Sequence, residues 1–154
     1  MKDPGRLDTI VELARQAEDK SARQLAGAEN KRTADKQQLE QLQAYYDEYA
    51  ARFEAASNRG MNARQLNDFQ IFLGNLRQAI DQKKRELDDT EKRLNARRRD
   101  WVDKHQRTTA LDEVQADWRT QRARESERRE QRLADDRAGA RCGGVQGGDK
   151  RHEE

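Results

Sequence analysis

One apolar repeat in the second half of the chain restricts the possible folds more than any other feature. Between Asn62 and Trp118, positions at alternating steps of three and four residues are mostly apolar. An average step of 3.5 residues keeps a narrow stripe on one side of a supercoiled helix, whereas a globular helix has a wider apolar face. The repeat therefore predicts a long coiled-coil helix, whose stripe we call the seam. Its positions are Leu66, Phe69, Leu73, Leu76, Ile80, Lys83, Leu87, Thr90, Leu94, Arg97, Trp101, Lys104, Thr108, Leu111, Gln115 and Trp118.

A second repeat of the same kind occupies the first part of the chain. Two consecutive steps of four, from Ala17 to Leu25, predict a stutter that locally unwinds the supercoil. Asp3 followed by Pro4 is typical of a helix N-terminus, so the first helix is expected to begin there. The positions of this seam are Leu7, Ile10, Ala14, Ala17, Ser21, Leu25, Ala28, Arg32, Asp35, Leu39, Leu42, Tyr46, Tyr49, Phe53 and Ala56.

A short polar segment separates the two repeats and predicts a reversal of the chain. Gly60 can adopt the positive φ that ends a helix, and Asn62 with Gln65 forms a capping box for the next one. The prediction is helix one at about 4–56, a turn at about 57–62 and helix two at about 63–136. So short a connection folds helix two back along helix one, as an antiparallel αα-hairpin.

A turn centred near Arg59 also predicts which seam residues face each other. In the charged layer Asp35 then faces Lys83, which has the opposite charge, and the large Trp101 faces the small Ala17. The remaining predicted layers are Phe53 with Leu66, Tyr49 with Phe69, Tyr46 with Leu73, Leu42 with Leu76, Leu39 with Ile80, Leu25 with Leu94, and Ile10 with Thr108.

The predicted fold is therefore all-α: a long antiparallel two-helix coiled coil over residues 1–137, in which helix two overhangs helix one. The glycine-rich residues 138–154 are expected to form a disordered tail, because each glycine costs a helix up to about 1 kcal/mol. Cys142 in this tail is the single cysteine, so no internal disulfide can form. The seam could equally close within one chain or by exchange of helices between two chains.

Composition limits the function classes. Charged residues make up 40% of the chain, but 32 basic residues against 30 acidic ones leave a net charge of +2, which gives no general affinity for nucleic acid or anionic membranes. No signal-like or membrane-spanning apolar run occurs, so we expect a soluble, cytoplasmic protein. No phosphate loop, nucleophile motif or metal-ligand cluster is present, and the prediction is a non-enzyme without cofactor or metal. His105 is expected to be a solvated helix residue.

Apolar side chains beyond the needs of the seam occur near the turn. Tyr45 and Phe72 flank the seam, and a thin hairpin cannot bury them together with the seam residues, so an exposed surface for a partner is expected. The alternative is that Tyr45 and Phe72 merely widen the seam. The two rows at helical spacing, which we call the apolar strip, are Gln38, Leu42, Tyr45 and Tyr49 on helix one and Phe72, Leu76, Ala79 and Lys83 on helix two.

Basic residues are dense at Arg97–Arg99 and again from Arg119 to Arg132. Glu125, Glu127 and Glu130 interrupt the second cluster, whereas a nucleic-acid surface needs a basic face with few acids. We therefore interpret the clusters as a solvated mixed-charge helix, or as a surface for an acidic protein partner.

Several motifs stand out along the two repeats: Leu-x-x-Ile-Val-x-x-Ala at 7–14, Gln-Leu-x-x-Leu-x-x-Tyr-x-x-Glu-Tyr at 38–49, a glycine-containing turn, Phe-x-x-Phe-Leu-x-x-Leu-x-x-Ala-Ile-x-Gln at 69–82, and Trp101 in a basic helix. Together they resemble the flagellar export protein FliJ family. The resemblance spans roughly Leu7 to Ala134. It implies a component of the flagellar type III export apparatus, similar in fold to the γ subunit of rotary ATPases, cytoplasmic and peripherally associated with the inner membrane through its partners.

The resemblance also implies two binding sites. The apolar strip, Gln38, Leu42, Tyr45, Tyr49, Phe72, Leu76, Ala79 and Lys83, matches the positions that face the cytoplasmic domain of the export gate. The open end of the hairpin, with the basic overhang, would enter the hexameric ring of the export ATPase. The residues expected there are Leu7, Ile10, Val11, Ala14, Trp101, Thr108, Leu111 and Trp118.

Three functions stay open at this point. The first is a non-enzymatic coupling protein between ATPase and gate. The second is a coiled-coil export chaperone or escort adaptor, for which export chaperones are further candidate partners. The third is a nucleic-acid-binding coiled coil, whose affinity would fall steeply with salt.

Overall fold

Two helices account for almost all of the described chain. The computed structural model describes residues 3–143, in which α1 spans Pro4–Arg59 and α2 spans Ala63–Gly143. The carboxylate of Asp3 accepts a hydrogen bond from the Gly5 amide at 3.0 Å, and Asn62 Oδ1 accepts one from the Gln65 amide at 2.8 Å. Both side chains satisfy amide donors that a helix N-terminus leaves free, which confirms the two predicted N-caps.

The reversal between the helices depends on Gly60. Its φ is 91°, in the left-handed region that residues with a Cβ avoid, and its amide donates to the Ser57 carbonyl at 3.2 Å. This ends α1 and leaves residues 60–62 as the connection between the two helices. The predicted antiparallel hairpin of two long helices packed against each other is confirmed.

The described chain divides into two units, each of which contains parts of both helices. Residues 12–108, which include the reversal, form the turn unit, and residues 3–11 with 109–143 form the terminal unit. In the turn unit Ser21 donates to Asp100 at 2.9 Å and Arg97 donates to Gln24 at 3.1 Å. In the terminal unit Gln115 donates to the carboxylate of Asp8. Polar contacts thus accompany the apolar seam in both units.

The seam of α2 follows the predicted repeat closely. Every predicted position from Leu66 to Trp118 is buried or half-buried except Arg97, which is exposed. The most deeply buried are Ile80, Thr90, Leu94 and Thr108, each less than a tenth exposed. The period of 3.5 residues therefore identified the packed face correctly.

The seam of α1 differs from the prediction near its start. Ile10 and Ala17 are exposed, whereas Val11 is only 2% exposed and Glu18 is half-buried. With Val11 and Glu18 in the seam, its positions alternate between steps of four and three throughout, so the predicted stutter is wrong. The reason is that Ile10 and Val11 are both apolar, and only packing against α2 decides which of two neighbouring residues is buried.

The register is about one helical turn away from the prediction. Tyr49 packs edge-on against Phe72 at 4.9 Å rather than opposite Phe69, and Phe53 packs on Phe69 at 5.4 Å rather than on Leu66. The cause is that α1 runs to Arg59, past its predicted end at about 56, so the chain reverses later. Facing residues on α2 accordingly lie further along the chain.

Two further pairings bear on the predicted layers. The layer of Asp35 with Lys83 is confirmed at 3.2 Å, because the long lysine side chain spans the difference in register. At the layer predicted for Ile10 and Thr108, the Thr108 hydroxyl instead lies 3.4 Å from the carbonyl of Ala14. Ala17, predicted opposite Trp101, is exposed.

The end of α2 also lies beyond its prediction. The helix continues to Gly143, so residues 138–143, which composition assigned to the tail, form its last turns. Extension of an existing helix avoids the cost of nucleation, and Ala138, Ala140 and Arg141 are good helix formers around Gly139. Residues 144–154 of the predicted tail lie outside the described range. Between residues 3 and 143, no helix is apolar over a length that could cross a membrane.

Candidate functional site

The apolar strip lies in the turn unit, partly in the seam and partly along one flank of it. Phe72 and Tyr49 bring its two rows together through their ring contact, and Phe69 packs edge-on against Phe72 at 6.4 Å. Tyr45 is nevertheless 54% exposed and Phe72 41% exposed. Large aromatic side chains that stay half in water on a fold of this kind are typical of a surface that a partner covers. Phe72 also contacts two seam residues, so it extends the packed face as well as being partly exposed.

The rest of the strip is divided between the seam and its flank. Leu42, Tyr49 and Leu76 are half-buried and belong to the packed face, whereas Gln38 and Ala79 are exposed. The strip thus presents a ridge of exposed side chains above a packed apolar floor. This arrangement suits an apolar segment of another protein better than a small ligand, because the strip has no enclosing wall.

Lys83 is the only charged residue of the strip, and its ammonium already forms ion pairs within the hairpin. Its ammonium lies 3.2 Å from the carboxylates of both Asp35 and Glu86, and its side chain is only 15% exposed. Burial alone would lower the pKa of Lys83, but Glu86 and Asp35 outweigh that effect and raise the pKa above 10.5. The ammonium therefore contributes to the hairpin and is not free for a partner.

The opposite member of this pair is a carboxylate within the seam. Asp35 is 5% exposed and accepts a hydrogen bond from the Thr90 hydroxyl at 2.7 Å. That hydrogen bond, followed by the contact with Lys83, lowers the pKa of Asp35 below its ordinary 3.8 against the opposing effect of burial. Asp35 is ionised at neutral pH and anchors a polar layer between the apolar layers of the turn unit.

The strip continues toward the turn into a groove that sequence reasoning missed. The groove has a volume of about 870 Å³, and its lining includes Ala56, Met61 and Phe69 beside Tyr49 and Phe72, together with Arg52 and Arg59. Arg52 lies over the Tyr49 ring at 5.1 Å and pairs with Glu48 at 2.7 Å. A signal was available, since Arg52 and Ala56 continue the row of Tyr45 and Tyr49 at steps of three and four.

The residues predicted to bind the ATPase fall into both units. In the terminal unit Leu7 and Val11 are buried, Leu111 and Trp118 are half-buried, and Ile10 is 39% exposed. A small cleft there is lined by Leu7, Trp118 and Arg122 among others. In the turn unit Ala14 and Thr108 are buried and Trp101 is half-buried. Most of these side chains therefore contribute to the hairpin itself, and Ile10 is the apolar side chain among them that is clearly exposed.

His105 is an exposed helix residue, as the sequence predicted, but it also contacts two neighbouring side chains. Its ring stacks on Trp101 with centroids 5.0 Å apart and planes 11° apart, and its Nδ1 lies 2.6 Å from Glu18 Oε1. The contact joins the two helices of the turn unit and gives the half-buried Glu18 a partner in the seam. Both described partners of His105, Trp101 on the same helix and Glu18 on the facing helix, belong to the packing of the hairpin.

The basic stretch of α2 past Trp118 is a fully exposed helix. Every described side chain from Arg119 to Cys142 is exposed, including Leu133 at 56%. Arginines alternate here with glutamates, as in Glu125, Glu127 and Glu130. In the described part of the chain no group of three or more histidine, cysteine or acidic residues could hold a metal ion.

Comparison with known proteins gives a consistent result over nearly the whole chain. Residues 1–146 match the family model described as "Flagellar FliJ protein". The chain is also 27% identical over 115 residues to the flagellar FliJ protein of Salmonella typhi, a match that covers 75% of this chain and 78% of that protein. No solved structure gives a significant match. On the extent of the family match, this chain belongs to the flagellar FliJ family.

Proposed function

We propose that this chain couples the hexameric export ATPase to the cytoplasmic domain of the export gate, without chemistry of its own. Its family makes it a component of flagellar protein export. The apolar strip of the turn unit would bind the gate, and the terminal unit with the exposed basic helix would bind the ATPase. In this role the protein resides in the cytoplasm and reaches the inner membrane at the flagellar base only through its partners.

One observation carries the proposal: the exposure of Tyr45 and Phe72 on a strip that the hairpin cannot cover. Aromatic side chains bury about 150–250 Å² each, so a partner that covered the exposed halves would remove roughly 200 Å² of apolar surface from water. At about 25 cal/mol per Å² this corresponds to about 5 kcal/mol, enough to dominate a binding site of ordinary size.

The coupling step follows from the packing of the turn unit. The seam and its polar layer hold α1 and α2 of this unit together, so a partner that binds one helix surface also acts on the other helix. A coupling protein transmits a state of one partner to another by differential contacts, and the energy comes from nucleotide hydrolysis by the ATPase. The chain therefore needs only surfaces, not reactive groups.

The gate contact is tested with single alanine variants. Tyr45→Ala and Phe72→Ala should each weaken binding of the purified gate cytoplasmic domain by about 10- to 100-fold, as expected for aromatic anchors, with unchanged helicity. Val102→Ala, which truncates a side chain of the same 41% exposure elsewhere in the turn unit, serves as the control. Calorimetry gives the affinity and circular dichroism the helicity. Loss of helicity in both strip variants would show that their side chains belong to the seam.

The ATPase contact requires a separate variant. Charge reversal by Arg128→Glu with Arg132→Glu keeps good helix formers in an exposed helix but removes its basic character. Binding to the export ATPase should weaken, while gate binding stays the same. Equal loss of both affinities would contradict an assignment of the two partners to different surfaces.

A second candidate function is an escort adaptor for export chaperones. The exposed helix from Arg119 to Cys142 favours it, because an uncovered helix with an exposed Leu133 offers a surface that a chaperone could share. Deletion of residues 119–154 separates the candidates. Loss of chaperone binding with retention of ATPase binding would favour the escort function over coupling.

A further inference from the structure

A basic groove lies between α1 and α2 in the turn unit, further from the reversal than the apolar strip. It has a volume of about 390 Å³, and Lys31 of α1 and Arg93 and Arg97 of α2 line it. Among the described residues that line it, none is acidic. In a chain whose charges nearly cancel, a groove with three cations and no carboxylate is a local exception.

The three cations differ in how far their charge is already matched. Lys31 lies 3.5 Å from the buried Asp35, and Arg97 donates to the neutral amide of Gln24 at 3.1 Å. Within residues 3–143, the guanidinium of Arg93 forms no ion pair or hydrogen bond. The groove therefore keeps a positive charge that the described part of the protein does not neutralise, which favours an anionic occupant.

Small residues leave this groove open. Gly27, Ala28 and Ala96 line it, and a Cβ added at Gly27 would meet no atom within 4 Å. Glycine inside a helix costs about 1 kcal/mol relative to alanine, and no close packing in the hairpin requires it at this position. The absence of a side chain leaves room for a group from another molecule.

The groove lies on the same flank as the apolar strip. Lys31 precedes Tyr45 by two heptads on α1, and Arg93 follows Phe72 by three heptads on α2, so both pairs keep the same face of a 3.5-residue repeat. All four residues belong to the turn unit. At 1.5 Å per residue the groove begins about 21 Å along the helix from Tyr45. One extended binding surface thus has an aromatic part and a cationic part.

We propose that this basic groove binds an acidic peptide segment of the same partner that covers the apolar strip. The proposal rests on the assignment of the strip to the export-gate cytoplasmic domain. The partner segment would carry aspartate or glutamate side chains about 21 Å from the residues that bind Tyr45 and about 31 Å from those that bind Phe72. These distances correspond to about six and about nine residues of extended chain. The apolar part supplies affinity, and the charge pairs fix orientation and register.

The test compares two charge reversals that differ only in their place on α2. Arg93→Glu changes the groove, and Arg98→Glu changes an exposed arginine about 140° further around the same helix, outside the residues that line the groove. The dissociation constant for the purified gate cytoplasmic domain is measured with the full chain at about 50 mM and about 500 mM salt. Arg93→Glu should raise it about tenfold at low salt and much less at high salt, whereas Arg98→Glu should change it less than twofold.

Gly27→Leu provides a variant that separates binding from folding. A leucine should fill the open groove and raise the melting temperature slightly, because leucine is the better helix former, while it weakens gate binding. A merely structural role for the groove would give unchanged binding with the raised melting temperature. That result would overturn the proposal.

The outcomes distinguish this inference from the proposed function. If Tyr45→Ala weakens gate binding but Arg93→Glu and Arg98→Glu behave alike, the acidic segment is refuted and the gate contact stands. If Tyr45→Ala has no effect, the gate assignment itself fails, and this inference with it. A single-stranded oligonucleotide is the second probe: if Arg93→Glu abolishes its binding and leaves gate binding unchanged, the groove takes nucleic acid and the proposal is wrong.

Discussion

The polar layer of the turn unit gives the sharpest prediction about stability. Asp35→Ala removes a carboxylate that is 5% exposed and leaves two donors, the Thr90 hydroxyl at 2.7 Å and the Lys83 ammonium at 3.2 Å, without that acceptor. Removal of one member of a buried ion pair typically costs about 3–5 kcal/mol, because the remaining charge is left desolvated. The loss of stability in this variant therefore depends on how well Lys83 and Thr90 are solvated or paired once the carboxylate is gone.

The structure places the expected value near the lower end of that range. The Lys83 side chain retains 15% exposure and keeps Glu86 at 3.2 Å, so its charge is not fully stranded. We therefore expect Asp35→Ala to lower the free energy of unfolding by about 3 kcal/mol. At about 2–4 °C per kcal/mol for a chain of this size, the melting temperature should fall by about 6–12 °C.

The assay is thermal and urea unfolding followed by circular dichroism, with Asp88→Ala as the matched control. Asp88 pairs with Lys92 at 3.2 Å over one helical turn, but its side chain is 65% exposed, so its loss should change stability by less than about 0.5 kcal/mol. Equal melting temperatures for the two variants would refute the argument that burial makes the Asp35 layer energetically important.

The same layer predicts a pH dependence. The lowered pKa of Asp35, due first to the Thr90 hydrogen bond, makes its carboxylate stabilising above pH 3.8, and this contribution is lost as the pH falls through the lowered pKa. The raised pKa of Lys83 makes its ammonium stabilising below pH 10.5, and this is lost as the pH rises through the raised pKa. The stability advantage of the wild type over Asp35→Asn should therefore shrink in acid. An advantage that stays constant down to pH 2 would contradict this reasoning.

Five further variants, at four positions, test other parts of the hairpin. Gly60→Ala forces a Cβ into a φ of 91° and should cost about 1–2 kcal/mol in urea unfolding; no loss would mean that the turn adopts another conformation. Val11→Ala should cost about 2 kcal/mol and Ile10→Ala less than about 0.5 kcal/mol, whereas the reverse order would restore the seam that the sequence predicted. His105→Ala should lower stability by about 1 kcal/mol, and His105→Phe, which can keep the ring stack, should recover part of that loss.

The sequence predicted that Tyr45 and Phe72 are exposed, as the structure shows, but it did not predict the grooves on the hairpin. Tyr45 and Phe72 were identified because they are surplus to a narrow seam, which is an argument from area that needs no coordinates. The groove beside Met61 and the basic groove at Arg93 were missed, because a groove depends on how far apart two helices lie and which side chains leave space. Local spacing contains no information on that distance.

The sequence by itself determined the helices, their caps, their antiparallel direction and, along α2, the packed face. A period of 3.5 residues and two N-caps are local properties, and the short connection predicted at about 57–62 folds the second helix back along the first. Only the tertiary structure decided the register and the choice of Val11 over Ile10. Register depends on whether α1 continues to Arg59, a balance of small local energies, and burial of one apolar neighbour over another is settled only by the side chains of the facing helix.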